Sequence, residues 1–301
     1  MSTDGGGVSR GEAIRVRLES LKAQSPGMED AIAFYQQLLP ALLEAQDTVS
    51  PIAIEREVAD ARLRSGTPLL VGEDLPLNLE ETRYTLLRLC RLVEALPSAK
   101  HGIDGDLPRA QQAEAIRSSV ESGALDPEKV WDALLSGNQG RLDSIATAHG
   151  LHLGMLQLLA QFSLRPSFRG WAESLKESAD WSLWERGACP ICGSDPGLAE
   201  LQGKERAPHL RCTNCGADWP YPRVKCAFCG NDEPQSLHIF SLSGEEERRQ
   251  VQACDRCHGY IKRIATFDPT PVEMLQVEDL AALHLDIMAA DKGFRRGTVN
   301  R

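Results

Sequence analysis

Four cysteine pairs with identical spacing stand in one 69-residue stretch, residues 189–257. Two residues separate the partners of each pair, which are Cys189/Cys192, Cys212/Cys215, Cys226/Cys229 and Cys254/Cys257. A turn of this length can point both sulfurs at one ion, and two such turns supply the tetrahedral set of four thiolates that suits zinc or iron. Glycine follows three of the pairs at once and can adopt the left-handed conformation that closes such a turn. The spacing therefore predicts two metal sites with four cysteine ligands each.

The lengths of the loops between the pairs indicate which pairs combine. In chain order the loops contain 19, 10 and 24 residues. Each long loop can hold a β-hairpin beside the metal, whereas the short loop suits a connector. Sequential pairing then gives site one as Cys189, Cys192, Cys212 and Cys215, and site two as Cys226, Cys229, Cys254 and Cys257. The alternative is a cross-brace, in which the first pair joins the third and the second joins the fourth.

Modules of this size bury too little apolar surface to fold alone, so the metal is expected to supply much of the folding free energy. Sequential pairing predicts independent modules. Replacing Cys226 or Cys254 by serine is then expected to empty site two and to leave site one mostly occupied.

Other interpretations of the cysteines are weaker. Burial as a free thiol would explain a single cysteine well, but it does not explain eight cysteines in four pairs of identical spacing. Disulfides conflict with a cytoplasmic location. A catalytic Cys-x-x-Cys needs its pair at the start of a helix after a strand, and Pro190 and the Cys-Gly turns favour metal-binding knuckles instead.

The residues around the cysteines are interpreted as supporting the sites. Six basic residues are expected to compensate the thiolate charge locally on a solvated surface: Arg211, Arg223, Lys225, Arg256, Lys262 and Arg263. Four aromatic residues are expected to pack around the sites, with nucleobase stacking as the alternative: Trp219, Tyr221, Phe228 and Tyr260.

Cys90 stands apart, among leucines of a predicted helix, and is interpreted as a buried apolar residue. The histidines show no paired metal spacing, and His258 is redundant beside four thiols. No nucleophile–base set, phosphate-binding glycine loop or paired-carboxylate pattern stands out. The sequence therefore gives no sign of catalysis, and we expect a protein that is not an enzyme.

The elements before the cysteines are expected to be helical. Apolar spacing predicts helices at about 52–63, 79–96, 151–164 and, after the cysteines, 277–290. Pro40 is expected to kink or end an early helix, and Pro166 to follow the end of another. Asp126 followed by Pro127 is a helix start, with an aspartate cap and proline at the first helical position.

The 301 residues carry a net charge of −10, which makes nucleic acid an unfavoured partner. Residues 185–265 hold eleven basic and eleven acidic side chains and are neutral. We see no apolar secretory leader and no stretch long enough to span a bilayer. A cytoplasmic location is the expectation.

Several segments resemble the formate dehydrogenase accessory protein family FdhE. The resemblance rests on WERGACPICGSDP from residue 184, LRCTNCGADWPYPRVKCAFCG from 210, CDRCHGYIK from 254 and the ending EDLAALHLDIMAADKGFRRGTVN from 278. The FSLRP segment from residue 162 fits as well. The likeness is strongest over about 150–297 and looser over the N-terminal helices.

The resemblance implies an α+β fold: an all-helical N-terminal domain, two rubredoxin-like or zinc-ribbon-like modules with four cysteines each, and a C-terminal helix. The corresponding domains are 1–180, 181–222, 223–268 and 269–301. It implies two mononuclear iron sites on the eight cysteines, although spacing alone fits zinc equally. His258 departs from the pattern, because a rubredoxin-type knuckle usually has glycine at that position.

The resemblance further implies a role in maturing respiratory formate dehydrogenase in the cytoplasm. The partner would be the catalytic subunit, before its export by the twin-arginine route. Two other functions stay open from the residues themselves: a zinc-ribbon nucleic-acid-binding protein, and a rubredoxin-like redox protein acting on a client's cofactor.

Overall fold

Helices dominate the chain before the first cysteine pair in the computed structural model, which describes residues 9–24, 27–71, 75–96 and 107–297. Within these residues the helices are α1 (Arg10–Gln24), α2 (Glu29–Gln46), α3 (Arg56–Ser65), α4 (Leu79–Ala95), α5 (Arg109–Glu121), α6 (Pro127–Leu135), α7 (Gln139–Ala148) and α8 (Leu153–Ser174). The predicted helical character of this half is confirmed.

Side-chain caps fix two of the helix starts. The Asp126 carboxylate accepts a hydrogen bond from the backbone nitrogen of Glu128 at 3.1 Å, with Pro127 at the first helical position, as predicted. Asn78 caps α4 in the same way, accepting from the backbone nitrogen of Glu81 at 3.2 Å. Each cap satisfies one amide that has no partner inside its helix.

Two prolines lie inside helices, although Pro40 was expected to kink or end its helix and Pro166 to follow the end of another. Helix α2 continues six residues beyond Pro40, and α8 includes Pro166 and runs on to Ser174. Leu39 and Ala41 on either side of Pro40 are buried. Burial of this kind offsets the roughly 3 kcal/mol that an internal proline costs a helix. The predicted helix end before Pro166 is therefore wrong, and at Pro40, where a kink or an end was expected, the helix does not end.

The chain forms two compact units. One comprises Met1–Val49 and Pro76–Ser167, and the other comprises Ser50–Leu75 and Phe168–Arg301. All eight paired cysteines belong to the second unit. Compactness does not show which segments fold alone, so the domain boundaries at 180, 222 and 268 stay predictions.

One mixed sheet runs through both cysteine modules. Its strands are β1 (Leu198–Gln202), β2 (Ala207–Arg211), β3 (Asp218–Pro220), β4 (Leu237–Phe240), β5 (Arg249–Cys254), β6 (Gly259–Thr266) and β7 (Arg295–Arg296). They lie in the order β3-β2-β1-β6-β5-β4, and β7 pairs with the start of β6. The first long loop holds the β1–β2 hairpin and the second holds β4–β5, as predicted.

The pairing of β1 with β6 joins the two modules. The two strands are parallel, with Ala199 opposite Arg263 and Gln202 opposite Thr266. The other pairs along the sheet path are antiparallel. The two modules therefore share a sheet, and their independence in metal binding stays a prediction.

Two C-terminal helices cover one face of the sheet where one was expected. They are α9 (Leu275–Ala281) and α10 (Leu283–Asp291), separated at Ala282. Leu285 and Ala289 of α10 pack against Val251 and Tyr260 of the sheet. The predicted α+β architecture of helices, two cysteine modules and a helical C-terminal segment is confirmed.

Candidate metal centres

The first three cysteine pairs form turns with the same backbone hydrogen bonds. The nitrogens of the following glycines donate to the carbonyl of the first cysteine in each pair, Gly193 to Cys189, Gly216 to Cys212 and Gly230 to Cys226, at 2.8–3.0 Å. The nitrogen of each first cysteine donates to the carbonyl five residues later, at 2.7–2.9 Å. Each turn therefore places its two sulfurs on the same side.

The residue after each pair has a left-handed backbone. The φ angles of Gly193, Gly216 and Gly230 are 72°, 84° and 71°, and His258 takes φ 54° at the fourth position. For a residue with a Cβ this conformation costs about 1–2 kcal/mol. The fourth turn therefore shares the left-handed backbone of the others at an unfavourable residue, and the His258 ring lies 6.4 Å from that of Phe294.

The structure gathers the eight sulfurs into the two groups that sequential pairing predicts. In site one Cys189 Sγ lies 3.5 Å from Cys215 Sγ, and Cys192 Sγ lies 3.6 Å from Cys212 Sγ. All four ligand atoms of the group lie within 4.8 Å of one another. The cross-brace pairing is excluded.

Site two has the same arrangement. Cys226 Sγ lies 3.7 Å from Cys257 Sγ, and Cys229 Sγ lies 3.7 Å from Cys254 Sγ. Sulfurs at the corners of a tetrahedron about 2.3 Å from its centre would be about 3.8 Å apart. Both groups therefore fit one tetrahedrally coordinated ion, and their cysteines are free thiols, not disulfides.

The thiols of site one differ in acidity. Burial raises the pKa of Cys189 and Cys215 well above the usual thiol value. Hydrogen bonds from Cys189, Cys212 and Cys215 hold the pKa of Cys192 well below that value. Among the thiols of Cys189, Cys192 and Cys215, that of Cys192 therefore ionises most readily.

Site two repeats this division. Burial raises the pKa of Cys257 to about 11 and raises that of Cys226 further. Burial also acts on Cys254, but backbone amides and the Asn231 side chain stabilise its thiolate, so its pKa is lowered. A bound cation would replace the protons at both sites, which is the chemistry expected of thiolate ligands.

Two polar side chains that contact the sulfurs were not predicted from the sequence. Asn231 is 2% exposed and donates to Cys254 Sγ at 3.5 Å, while Asn214 donates to Cys192 Sγ at 3.8 Å. Each asparagine belongs to one turn of a site and contacts a sulfur of the other. The sequence feature that could have predicted these contacts is a short polar residue inside or directly after a Cys-x-x-Cys turn. Such contacts orient metal ligands and stabilise thiolates.

Three of the six basic residues are buried, which corrects the prediction of a solvated surface for them. Arg211, Lys262 and Arg263 are 2%, 0% and 7% exposed. Arg211 donates from Nη1 to Glu200 Oε2 at 2.6 Å and from Nη2 to the Thr270 carbonyl at 2.8 Å. This buried pair connects the start of the second turn to the segment before α9.

Lys262 fixes the C-terminal helices to the sheet. Its Nζ lies 2.7 Å from Asp279 Oδ1 and 2.7 Å from Asp286 Oδ2. Tyr260 donates to Asp286 Oδ1 at 2.6 Å, and Arg296 lies 2.5 Å from Asp279 Oδ1. A buried lysine requires such partners, because an unpaired charge in the interior is strongly destabilising.

The four aromatic residues of the cysteine region are buried, as predicted. Trp219 is fully buried and donates from Nε1 to the Arg186 carbonyl at 3.3 Å. The Tyr221 hydroxyl donates to the carbonyl of Cys226 at 3.0 Å. Since Phe228 and Tyr260 are also nearly inaccessible, none of the four rings offers a surface on which a nucleobase could stack.

Cys90 lies in α4 of the first unit, with no exposed surface. Burial raises the pKa of its thiol to about 12. In the part of the chain that the structure describes, the metal-ligand clusters consist of cysteine alone, with neither Cys90 nor a histidine among them. The interpretation of Cys90 as a core residue is confirmed.

The helices within the described ranges include none that is both long and apolar enough to cross a membrane.

Comparisons with known proteins agree on one family. The family model described as FdhE, C-terminal domain, matches residues 224–301, which include site two and the C-terminal helices. A Protein FdhE homolog of Aquifex aeolicus is 34% identical over 149 residues, 48% of this chain and 51% of that protein. One of Shewanella oneidensis is 35% identical over 133 residues, 43% of each. The chain thus spans about half the length of these curated relatives.

A longer match and a solved structure extend the likeness to the helical half. A Protein FdhE homolog of Pseudomonas aeruginosa is 29% identical over 315 residues, 87% of this chain and 96% of that protein. The crystal structure of the FdhE protein from Pseudomonas aeruginosa matches with a TM-score of 0.60 at 22% identity, covering 97% of this chain and 95% of that one. At this identity the structural match shows the fold.

Proposed function

We propose that the chain is a member of the FdhE family and, on this basis, an accessory factor for the maturation of formate dehydrogenase. The observation that carries the proposal is the geometry of the two four-sulfur centres, the second of which lies inside residues 224–301, the stretch that matches the FdhE C-terminal domain. The role is one of assembly and not of catalysis.

The proposed partner is the catalytic subunit of formate dehydrogenase, bound in the cytoplasm before its export by the twin-arginine route. Support comes from the similarity to FdhE proteins and from the residues around the centres, which are engaged in packing and in hydrogen bonds. The buried aromatic rings and the neutral charge of residues 185–265 disfavour the nucleic-acid alternative.

We propose that each centre holds one iron ion, with zinc as the alternative. Site one would use Cys189, Cys192, Cys212 and Cys215, and site two would use Cys226, Cys229, Cys254 and Cys257. Either ion would hold the two turns of its site together, and iron would add one-electron redox chemistry. The protein itself supplies burial and the amide donors that stabilise the thiolates.

A redox version of the role is favoured by one observation. Cys229 and Cys257 of site two and Cys192 of site one are partly exposed, whereas the other five ligands are buried. Electrons could therefore reach each centre through an accessible sulfur.

A capture experiment tests the proposed partner. The tagged chain, purified without oxygen, is mixed with the formate dehydrogenase catalytic subunit or with an unrelated molybdoenzyme. Enrichment of the catalytic subunit alone is expected, and the Cys90→Ala variant should capture it equally. Equal capture of both enzymes, or of neither, would contradict the proposal.

Elemental analysis with visible spectra of the same preparation tests the metal. Iron at two ions per chain should give coloured protein that bleaches on reduction. Colourless protein with two zinc ions would exclude the iron centres and the redox version while leaving the accessory role in place.

A further inference from the structure

Strand β6 carries basic residues on both faces of the sheet. Successive side chains of a strand point to opposite faces. Tyr260 and Lys262 lie on the face that α9 and α10 cover, and Lys262 finds its carboxylates there. Arg263 therefore lies on the opposite face, between Ala199 of β1 and Gln250 of β5.

Arg263 has no counter-ion in the described part of the chain. Its side chain is 7% exposed, and no hydrogen bond or ion pair to its guanidinium is found among those residues. Fully buried side-chain nitrogen atoms that lack a hydrogen-bond partner occur at Arg211 and Arg249 but not at Arg263. The guanidinium of Arg263 is therefore mostly buried, but part of it remains accessible to solvent. Nearly buried charged groups are usually paired.

Two further arginines lie beside it. Arg206 ends the turn between β1 and β2, and Arg223 follows β3 and donates from Nη2 to the Arg206 carbonyl at 2.6 Å. Burial, together with the positive charges of Arg223 and Arg206, lowers the pKa of Arg263 to about 10. Arg206 also pairs with Glu247, which stands three residues before the Gln250 that lies opposite Arg263 on β5. The three guanidinium groups are named here the arginine cluster.

The arginine cluster contains more positive charge than its protein partners neutralise. Among the described residues, Glu247 supplies a carboxylate to the arginine cluster, where it pairs with Arg206. Three guanidinium groups and one carboxylate leave an excess of two positive charges, in a chain whose net charge is −10. An anion bound between these groups would remove the repulsion.

We propose that Arg206, Arg223 and Arg263 form a binding site for a phosphate group. A phosphate carries close to two negative charges at neutral pH, which matches the excess, whereas a single carboxylate would leave half of it. Guanidinium groups form paired hydrogen bonds with phosphate oxygens. The group is either free inorganic phosphate or a phosphate ester on a larger molecule, and the site does not depend on the role proposed above.

Isothermal titration of the metal-loaded chain tests the site with three probes at equal ionic strength: inorganic phosphate, methyl phosphate and acetate. Saturable binding of at least one phosphate compound, with no binding of acetate, is expected. Tighter binding of methyl phosphate identifies an ester as the ligand, and binding of inorganic phosphate alone identifies the free ion.

Variants separate the site from general charge attraction. Arg223→Gln, at an exposed position, and Arg263→Gln should each weaken phosphate binding about tenfold or more. Arg64→Gln removes the same charge from an exposed arginine of α3 and should leave binding unchanged. Metal content equal to that of the parent chain confirms that each variant is folded. Absence of saturable phosphate binding, or equal loss in Arg64→Gln, would overturn the proposal.

Discussion

At the scale of the residue, the four positions that follow the cysteine pairs show how backbone conformation builds the centres. All four have positive φ, although one of them is histidine. The space available for a Cβ differs among these positions. A Cβ at Gly230 would meet only the end of Lys225, at 4.0 Å, whereas a Cβ at Gly216 would collide with the side chain of Val272. Conformation and crowding can therefore be separated by experiment.

We expect Gly230→Ala to lower the free energy of unfolding by about 1 kcal/mol, because only the backbone conformation becomes unfavourable. Gly216→Ala should cost more, because Val272 must also move. Denaturant-induced release of metal to a coloured chelator measures both. Gly11→Ala, in α1 and with open space around it, should have no such effect. Equal losses for Gly216 and Gly230 would contradict this explanation.

Cys90 gives a prediction about reactivity. Its pKa of about 12 and its complete burial leave almost no accessible thiolate at neutral pH. A thiol reagent should therefore label no cysteine in the metal-loaded chain, eight after chelation, and the ninth only in denaturant. Cys90→Ala should leave metal content unchanged and remove that last thiol. Early labelling of Cys90, located by peptide mapping, would show that its helix opens.

At the scale of the element, the sequence predicted the parts that depend on local spacing. The Cys-x-x-Cys turns, the two hairpins and the cap at Asp126 each need only a few neighbouring residues. The parallel pairing of β1 with β6 joins segments roughly 60 residues apart, and no local pattern indicates it. Lys262 was misjudged for the same reason, because its carboxylates come from helices later in the chain.

The shared sheet changes what should happen when one centre is lost. Strand β6 begins two residues after Cys257, and its far half pairs with the strand that follows the first turn of site one. We therefore expect Cys254→Ser to empty site two and also to weaken metal binding at site one about five- to 150-fold, the range of typical coupling between sites.

Competition with a chelator measures this coupling. Cys189→Ser should show the reciprocal effect on site two, and Cys90→Ser serves as the matched control. Site one keeping its full affinity in Cys254→Ser would restore the original expectation of independent modules.

At the scale of the whole molecule, the chain divides into one unit of helices and one unit that contains both centres. The first unit has its own apolar core, which includes Leu18, Ile32, Leu89 and Ile116. In the second unit, the cysteine turns are held by sulfurs that repel one another when ionised without a cation. Dependence on metal should therefore differ between the units.

Removing metal with a chelator under reducing conditions should disorder the sheet and leave the first unit folded. Each structural ion contributes on the order of 10 kcal/mol by analogy with zinc fingers. Hydrogen exchange read by mass spectrometry should show loss of protection in β1–β6 and retained protection in α4 and α5. Adding metal back should restore the sheet. A metal-free chain with full protection throughout would contradict the structural role of the centres.

The parallel strand pair also has a consequence for the chain as it leaves the ribosome. Strand β1 can pair with β2 at once, but its other edge must wait until roughly 60 further residues have been made. At about 5–20 residues per second, that wait lasts about 3–12 seconds. Until then an unpaired strand edge is open to other nascent chains, and such edges promote aggregation. Conditions that slow translation between these strands should therefore lower the soluble yield more than conditions that slow it before β1.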